Sequence, residues 1–171
     1  MRKCLFVACF VGLSALLATA QGFPKAEVFG GFQYSHLEGG INASGWNFAV
    51  NGNFKDYYGI TADLASGYWS TAGVNYSNYT YTFGPVMQLR ANKAYTPFVH
   101  ALIGGDHESA GVGGVSASQN GVAFMAGGGV DANINRRIAI RMPQADWLLV
   151  HNSSGTSSKN FRLSFGIVAK F

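Results

Sequence analysis

Thiol and disulfide chemistry are closed to most of this chain, because its 2 cysteines, Cys4 and Cys9, both fall within the first 20 residues. Charge is scarce: 12% of the 171 residues. No cluster of Lys and Arg supplies the basic footprint that nucleic acid requires. His36, His100, His107 and His151 stand in separate segments, without the spacing of a metal site. Gly104-Gly105 and Gly127-Gly128-Gly129 lack the Lys-Ser/Thr or strand-to-helix context of a phosphate loop, so they mark strand bending or close packing. Beyond residue 20 no apolar run approaches the roughly 20 residues of a membrane-spanning helix, which excludes a helical membrane protein.

The first 20 residues have their own signature. Arg2 and Lys3 precede the apolar run Cys4–Leu17, and Ala18-Thr19-Ala20 is a small-x-small cleavage site. The expectation is a signal peptide over 1–20, followed by one domain over 21–171. Arg2 and Lys3 are two of the 12 basic residues, so the remainder sets 10 basic against 8 acidic side chains. The basic character of the full chain therefore belongs partly to its leader.

What the domain has in abundance is alternation. Phe161, Leu163, Phe165, Ile167, Ala169 and Phe171 take every second place in the final stretch, with Arg162, Ser164, Gly166, Val168 and Lys170 between them. A period of two is the mark of a strand with two unlike faces. Seven further segments share it: Lys25–Leu37, Ser44–Phe54, Tyr58–Gly67, Asn78–Arg90, Pro97–Asp106, Gly121–Asn133 and Arg137–Val150. In Ser44–Phe54, Trp46, Phe48, Val50 and Phe54 alternate with Asn47, Ala49, Asn51 and Asn53, which suits a wet, polar interior. Pro97–Asp106 is ambiguous, with apolar residues at both parities. Pro143 cannot donate to a ladder, so a bulge is expected there, switching parity and letting Asp146 share a face with Arg141.

Connectors alternate as well. Lys55–Tyr57, Ala91–Thr96 and Asn133–Arg136 are short; Leu37–Ala43, Tyr68–Ser77, His107–Asn120 and His151–Lys159 read as longer Gly-, Ser- and Asn-rich loops. Phe54, Tyr57, Tyr58, Tyr95 and Phe171 gather at one set of segment ends, and Tyr34, Trp46, Tyr68, Trp69, Tyr79, Trp147 and Phe161 at the other. An even strand count, loop lengths that alternate between two rims, and paired aromatic girdles predict an all-β fold: a single eight-stranded antiparallel up-and-down transmembrane β-barrel.

The fragments Gly45-Trp-Asn-Phe-Ala-Val-Asn-Gly-Asn-Phe54, Thr96-Pro-Phe-Val-His-Ala-Leu-Ile-Gly-Gly105, Ala139-Ile-Arg-Met-Pro-Gln-Ala-Asp-Trp147 and Phe161–Phe171 carry a resemblance to the small outer-membrane β-barrel domain proteins of Gram-negative bacteria, the OmpA-like and opacity-type barrels. That resemblance implies residence in the cell outer membrane among its lipids. It also implies insertion by the barrel-assembly machinery, which reads a C-terminal strand with an aromatic last residue; Phe165, Ile167 and Phe171 would form that signal. Ala169 stands where an aromatic is common, and the peptidoglycan-binding domain of larger members is absent from this sequence.

Glu27, Asp63, Asp131 and Asp146 share the inward parity with Arg90, Arg141, Arg162 and, near the rim, Lys170. The interior of eight strands is just wide enough to be filled by side chains, and buried charges persist when paired. The expectation is an interior charge network of Glu27, Asp63, Arg90, Asp131, Arg141, Asp146 and Arg162 that plugs the lumen. With no catalytic, cofactor or metal residues singled out, a non-enzymatic structural or surface-interaction protein displaying extracellular loops follows. Other readings remain beside it: a soluble lipocalin-like barrel with its apolar face turned inward around a ligand, a narrow pore, and an enzyme. The last rests on His151-Asn152-Ser153, which is similar to the His-x-Ser pair of outer-membrane lipid A deacylases, but no Asp or Glu follows Asp146 to complete a triad.

Overall fold

A computed structural model describes residues 22–113 and 115–171; the leader expected over 1–20 lies outside them. Eight strands follow one another: β1 (Ala26–Leu37), β2 (Ile41–Asn53), β3 (Tyr58–Thr71), β4 (Val74–Gln88), β5 (Tyr95–Val112), β6 (Val115–Asn133), β7 (Ile138–Asn152) and β8 (Gly155–Lys170). Each pairs antiparallel with its sequence neighbours, and β1 pairs with β8 to close the barrel. Closure leaves the belt without an open edge, so its backbone polar groups are satisfied within the sheet. At the seam the Lys25 and Ala26 amides donate to the Phe171 carbonyl at 2.6 and 3.3 Å, and the Phe171 amide donates to Ala26 at 2.8 Å.

The alternation read in the sequence sorts side chains between lumen and exterior. Phe32, Phe48, Leu64, Phe83, Phe124, Leu163, Phe165 and Ile167 are all exposed, whereas Asn47, Asp63, Thr82 and Arg162 are buried. Along β4 and the first residue after it, the outward row runs from Tyr79 to Leu89. Ten steps at about 3.3 Å, tilted by about 40°, give a belt roughly 25 Å tall, the height of a bilayer's hydrocarbon core as barrels meet it. The β6–β7 register shifts between Gly128 and Asp131 and the β7–β8 register between Arg141 and Gln144. That irregularity brackets Pro143 and switches parity, so Arg141, Gln144 and Asp146 are all buried.

Two expectations are corrected. The segments read as long loops are strand. β3 runs to Thr71 and β4 starts at Val74, β5 and β6 pair as far as Val112–Val115, and β7 and β8 meet at Asn152–Gly155. The Ala72-Gly73 turn, with φ of 51° and 79°, is a two-residue hairpin connection matched to strand twist. Gly, Ser and Asn mark these stretches as wet on both faces, and pairing continues through them. The connectors of the opposite end, 54–57, 89–94 and 134–137, are the longer ones. The second correction is Trp69, which lies on the opposite face of β3 from Tyr68 and stacks on Tyr76 with ring centroids 5.2 Å apart, outside the girdle.

The extension beyond the belt is lopsided. Pairs Ser70–Asn75, Asn75–Gly111 and Gly111–Ser116 continue β3 to β6 as a four-stranded wall. β6 meets β7 only from Gly121 inward, so Val115–Asn120 forms a free edge.

Candidate functional site

The lumen holds two polar layers, the larger of them a continuous chain of bonds. Arg141 on β7 donates from Nε and Nη2 to both oxygens of Asp131 on β6, at 2.8 and 3.0 Å, and from Nη1 to Gln144 at 3.0 Å. Gln144 passes the chain to Asp146 Oδ2 at 2.8 Å. Arg162 on β8 donates through Nε to the same oxygen at 2.8 Å and reaches across to Asp63 on β3 with Nη1 at 2.8 Å. Asn47 on β2 closes the chain on Asp63 at 2.9 Å. Such two-pronged guanidinium–carboxylate pairs fix orientation as well as charge. The Arg141 guanidinium is also flanked by two rings, Phe29 at 4.5 Å and Phe98 at 4.2 Å, so its faces are covered while its edge is bonded.

A second layer sits towards the turns. Glu27 on β1 accepts from Gln88 at 2.7 Å, Arg90 at 3.1 Å and Asn51 at 3.3 Å, and the Lys170 ammonium lies 3.9 Å away. Arg90 also donates to the Asp56 carbonyl and to Gln88. The structure thus brings Glu27 together with Arg90, Asp131 with Arg141, and Arg162 with both Asp63 and Asp146. Four carboxylates face three guanidiniums and one ammonium, a balance that offsets the cost of removing each charge from water.

Sequence reasoning missed several members. His100, on the ambiguous fifth segment, faces inward with Nε2 2.8 Å from Asp146 Oδ1. Gln144, Gln88, Asn47 and Asn51 supply the links between ion pairs, and inward parity with an amide side chain was the signal available for them. Leu102, Met125 and Leu148 form an apolar layer one step beyond His100 and Asp146 on their strands. Above it a cavity of about 30 Å³, lined by Gln33, Asn78, Asp106, Asn160 and Arg162, has room for about one water. Buried polar and charged side chains line the lumen, and its polarity is opposite to that of a barrel carrying an apolar ligand.

At the hairpin end, Glu38 in the β1–β2 turn accepts from the Ser158 amide at 2.9 Å and the Lys159 amide at 3.5 Å, fastening that turn to β8. The Ser158 amide first, then the Ser157 hydroxyl and the Lys159 amide, hold its carboxyl below the usual glutamate range. His151 is bonded through Nδ1 to Thr156 Oγ1 at 2.7 Å, not to Ser153, and no carboxylate pairs with it among the described residues. No group of three or more His, Cys, Asp or Glu among the described residues is arranged to hold a metal ion.

No protein-family model and no curated protein sequence matches this chain. Solved structures do. Neisserial surface protein A superposes with a TM-score of 0.74 at 11% identity, over 88% of this chain and 100% of that one. Ail, the attachment invasion locus protein of Yersinia pestis, gives 0.61 at 18% identity over 87% and 99%. The outer membrane protein OprG of Pseudomonas aeruginosa gives 0.57 at 11% identity over 87% and 96%. At such identities the likeness is one of fold, and that fold is the eight-stranded transmembrane β-barrel.

Proposed function

We propose that the protein is an integral outer-membrane barrel, inserted through recognition of the Phe165, Ile167 and Phe171 strand, that acts by surface contact rather than by transport or catalysis. The carrying observation is the combination of an outward apolar belt with a lumen closed by paired charges and the Leu102–Met125–Leu148 layer. A barrel filled in this way offers no path for solutes, so what remains to act is its rim. There the wall of β3 to β6 presents ordered backbone instead of flexible loops. The free edge Val115–Asn120 carries neither proline nor charge, the two common guards of an exposed edge. It suits an extended segment of a partner, added as a further strand.

Ail has been solved with the heparin analogue sucrose octasulfate. A polyanion partner finds little support here, because the hairpin end carries Lys159 against Glu38 and Glu108. Fractionation of expressing cells tests the location: the protein is expected in the outer membrane, with heat-modifiable gel migration, and recovery in the soluble periplasm would overturn the reading. Panning a peptide library against nanodisc-embedded protein tests the edge. Extended, β-forming peptides should bind, and Ser118→Pro should abolish their binding.

A further inference from the structure

The charges outside the luminal network are not shared evenly between the ends. At the turn end stand Lys25, Lys55, Lys93, Arg136 and Arg137, with Asp56 as the acidic side chain among them; at the hairpin end Lys159 stands with Glu38 and Glu108, while Asp106 is buried inside the lumen. None of the five turn-end cations is engaged in an ion pair among the described residues. Four of them, Lys55, Lys93, Arg136 and Arg137, are exposed.

Their placement follows the topology. Lys25 enters β1, Lys55 lies between β2 and β3, Lys93 between β4 and β5, and Arg136 and Arg137 between β6 and β7. A cation therefore recurs every two strands around the closed circumference. Each sits directly beyond the apolar belt: Lys55 beside Phe54 and Tyr57, Lys93 two residues from Tyr95, Arg136 and Arg137 between Ile134 and Ile138, all exposed. The Lys25 ammonium lies 4.4 Å over the Phe23 ring. Long cationic side chains next to such a belt lay their stems on apolar surface and their heads at the level of lipid phosphates.

We propose that the turn end is a collar for anionic phospholipid headgroups. A protein partner docks on one side of a rim, whereas cations spaced around the whole circumference match an annulus that surrounds it. The acidic excess at the other end gives the collar a direction, favouring anionic lipid in the leaflet that meets the turns. This rests on the membrane-barrel reading above.

The test uses the full mature protein folded into phosphatidylcholine vesicles, with spin-labelled phosphatidylglycerol or phosphatidylcholine as the reporting lipid. The barrel should select the phosphatidylglycerol label severalfold, and sodium chloride should weaken that preference. Lys55→Gln, Lys93→Gln, Arg136→Gln and Arg137→Gln combined should bring the ratio to near one while heat-modifiable migration persists. Lys159→Gln should leave it unchanged. Equal association of both labels with the unaltered protein overturns the collar, as does a preference that survives the fourfold change or ignores salt. Sodium phosphate at equal ionic strength should act like the chloride; stronger displacement would assign the rim to a free ion and overturn the lipid assignment. Failure of the chain to insert into any vesicle would instead sink the membrane reading beneath it.

Discussion

Arg162 grips Asp63 across the lumen with both prongs of its guanidinium, Nη1 to Oδ1 at 2.8 Å and Nη2 to Oδ2 at 3.2 Å, joining β8 to β3 over 99 residues of chain. Arg162 also serves Asp146, so its removal leaves two buried carboxylates without a guanidinium, Asp63 keeping Asn47 and Asp146 keeping Gln144 and His100. Arg162→Met should cost about 3–5 kcal/mol of stability, the scale of breaking a buried pair from one side. Adding Asp63→Asn and Asp146→Asn should return part of that loss. Urea unfolding in lipid vesicles reads both, and a single variant as stable as the original would remove the network from the stability argument.

Gly127 makes room for the His100–Asp146 bond. The three residues stand side by side on β5, β6 and β7, and a Cβ on Gly127 would come within 2.1 Å of Asp146 Oδ1. Gly127→Ala should displace that oxygen, shift the His100 ring resonances and cost about 1–3 kcal/mol as an overpacked interior does. Unmoved His100 resonances would contradict the contact.

Ile167 lies in the middle of the outward row of β8 and is exposed. Ile167→Arg should destabilise the folded state in vesicles by roughly 2–4 kcal/mol, the depth-dependent cost near a bilayer midplane. Lys159, two residues beyond Phe161 on the same face, already tolerates charge and sets the comparison. Equal tolerance at both places would count against lipid contact.

Hydrogen exchange distinguishes a paired wall from a loop. Amides of His107–Val112 and Val115–Asn120 engaged in β5–β6 pairing should exchange slowly compared with those of the 89–94 connector. Fast exchange throughout 107–120 would restore the loop reading.

Glu38 gives a local acid sensitivity. Its carboxyl is held below the ordinary value of 4.5 by the Ser158 amide, the Ser157 hydroxyl and the Lys159 amide. A group depressed in the folded state contributes fully above its unfolded value and loses that contribution as pH falls through the folded one. The tie from the β1–β2 turn to β8 should hold at neutral pH and release below the ordinary glutamate range. Carboxyl NMR titration of Glu38 should give a midpoint under 4.5, and Glu38→Ala, which removes the acceptor, should expose the Ser158 amide to exchange at every pH.

Strand faces were legible because the belt obeys the strictest rule available, apolar towards lipid at every second residue. In Phe161 to Phe171 the alternation separated the two faces, the inward charges of other segments and the rim aromatics turned the apolar one outward, and Pro143 announced its bulge by lacking a donor. The fifth segment resisted because the lumen does not obey the converse rule: Phe98 and Leu102 are inside with His100. Phe29 gives the reason, since a buried guanidinium needs ring faces as well as carboxylates. The reach of the hairpins was hidden for a different reason. Above the belt both faces of a strand meet water, so the period of two fades while the backbone ladder persists. Ser116 and Ser118 look like loop residues and are strand.

The seam at which Phe171 bonds to Ala26 is also the longest-range strand pairing in the barrel. Residues 145 places apart must meet before the sheet loses its last two open edges. A partial barrel would expose those edges to hydrocarbon, where unpaired amides and carbonyls are costly. The β1–β8 pairing is the ladder with the largest loop of chain to close. A sheet lacking this one pairing would present two unpaired edges, each a template for another chain, and the closed ring presents none in the belt.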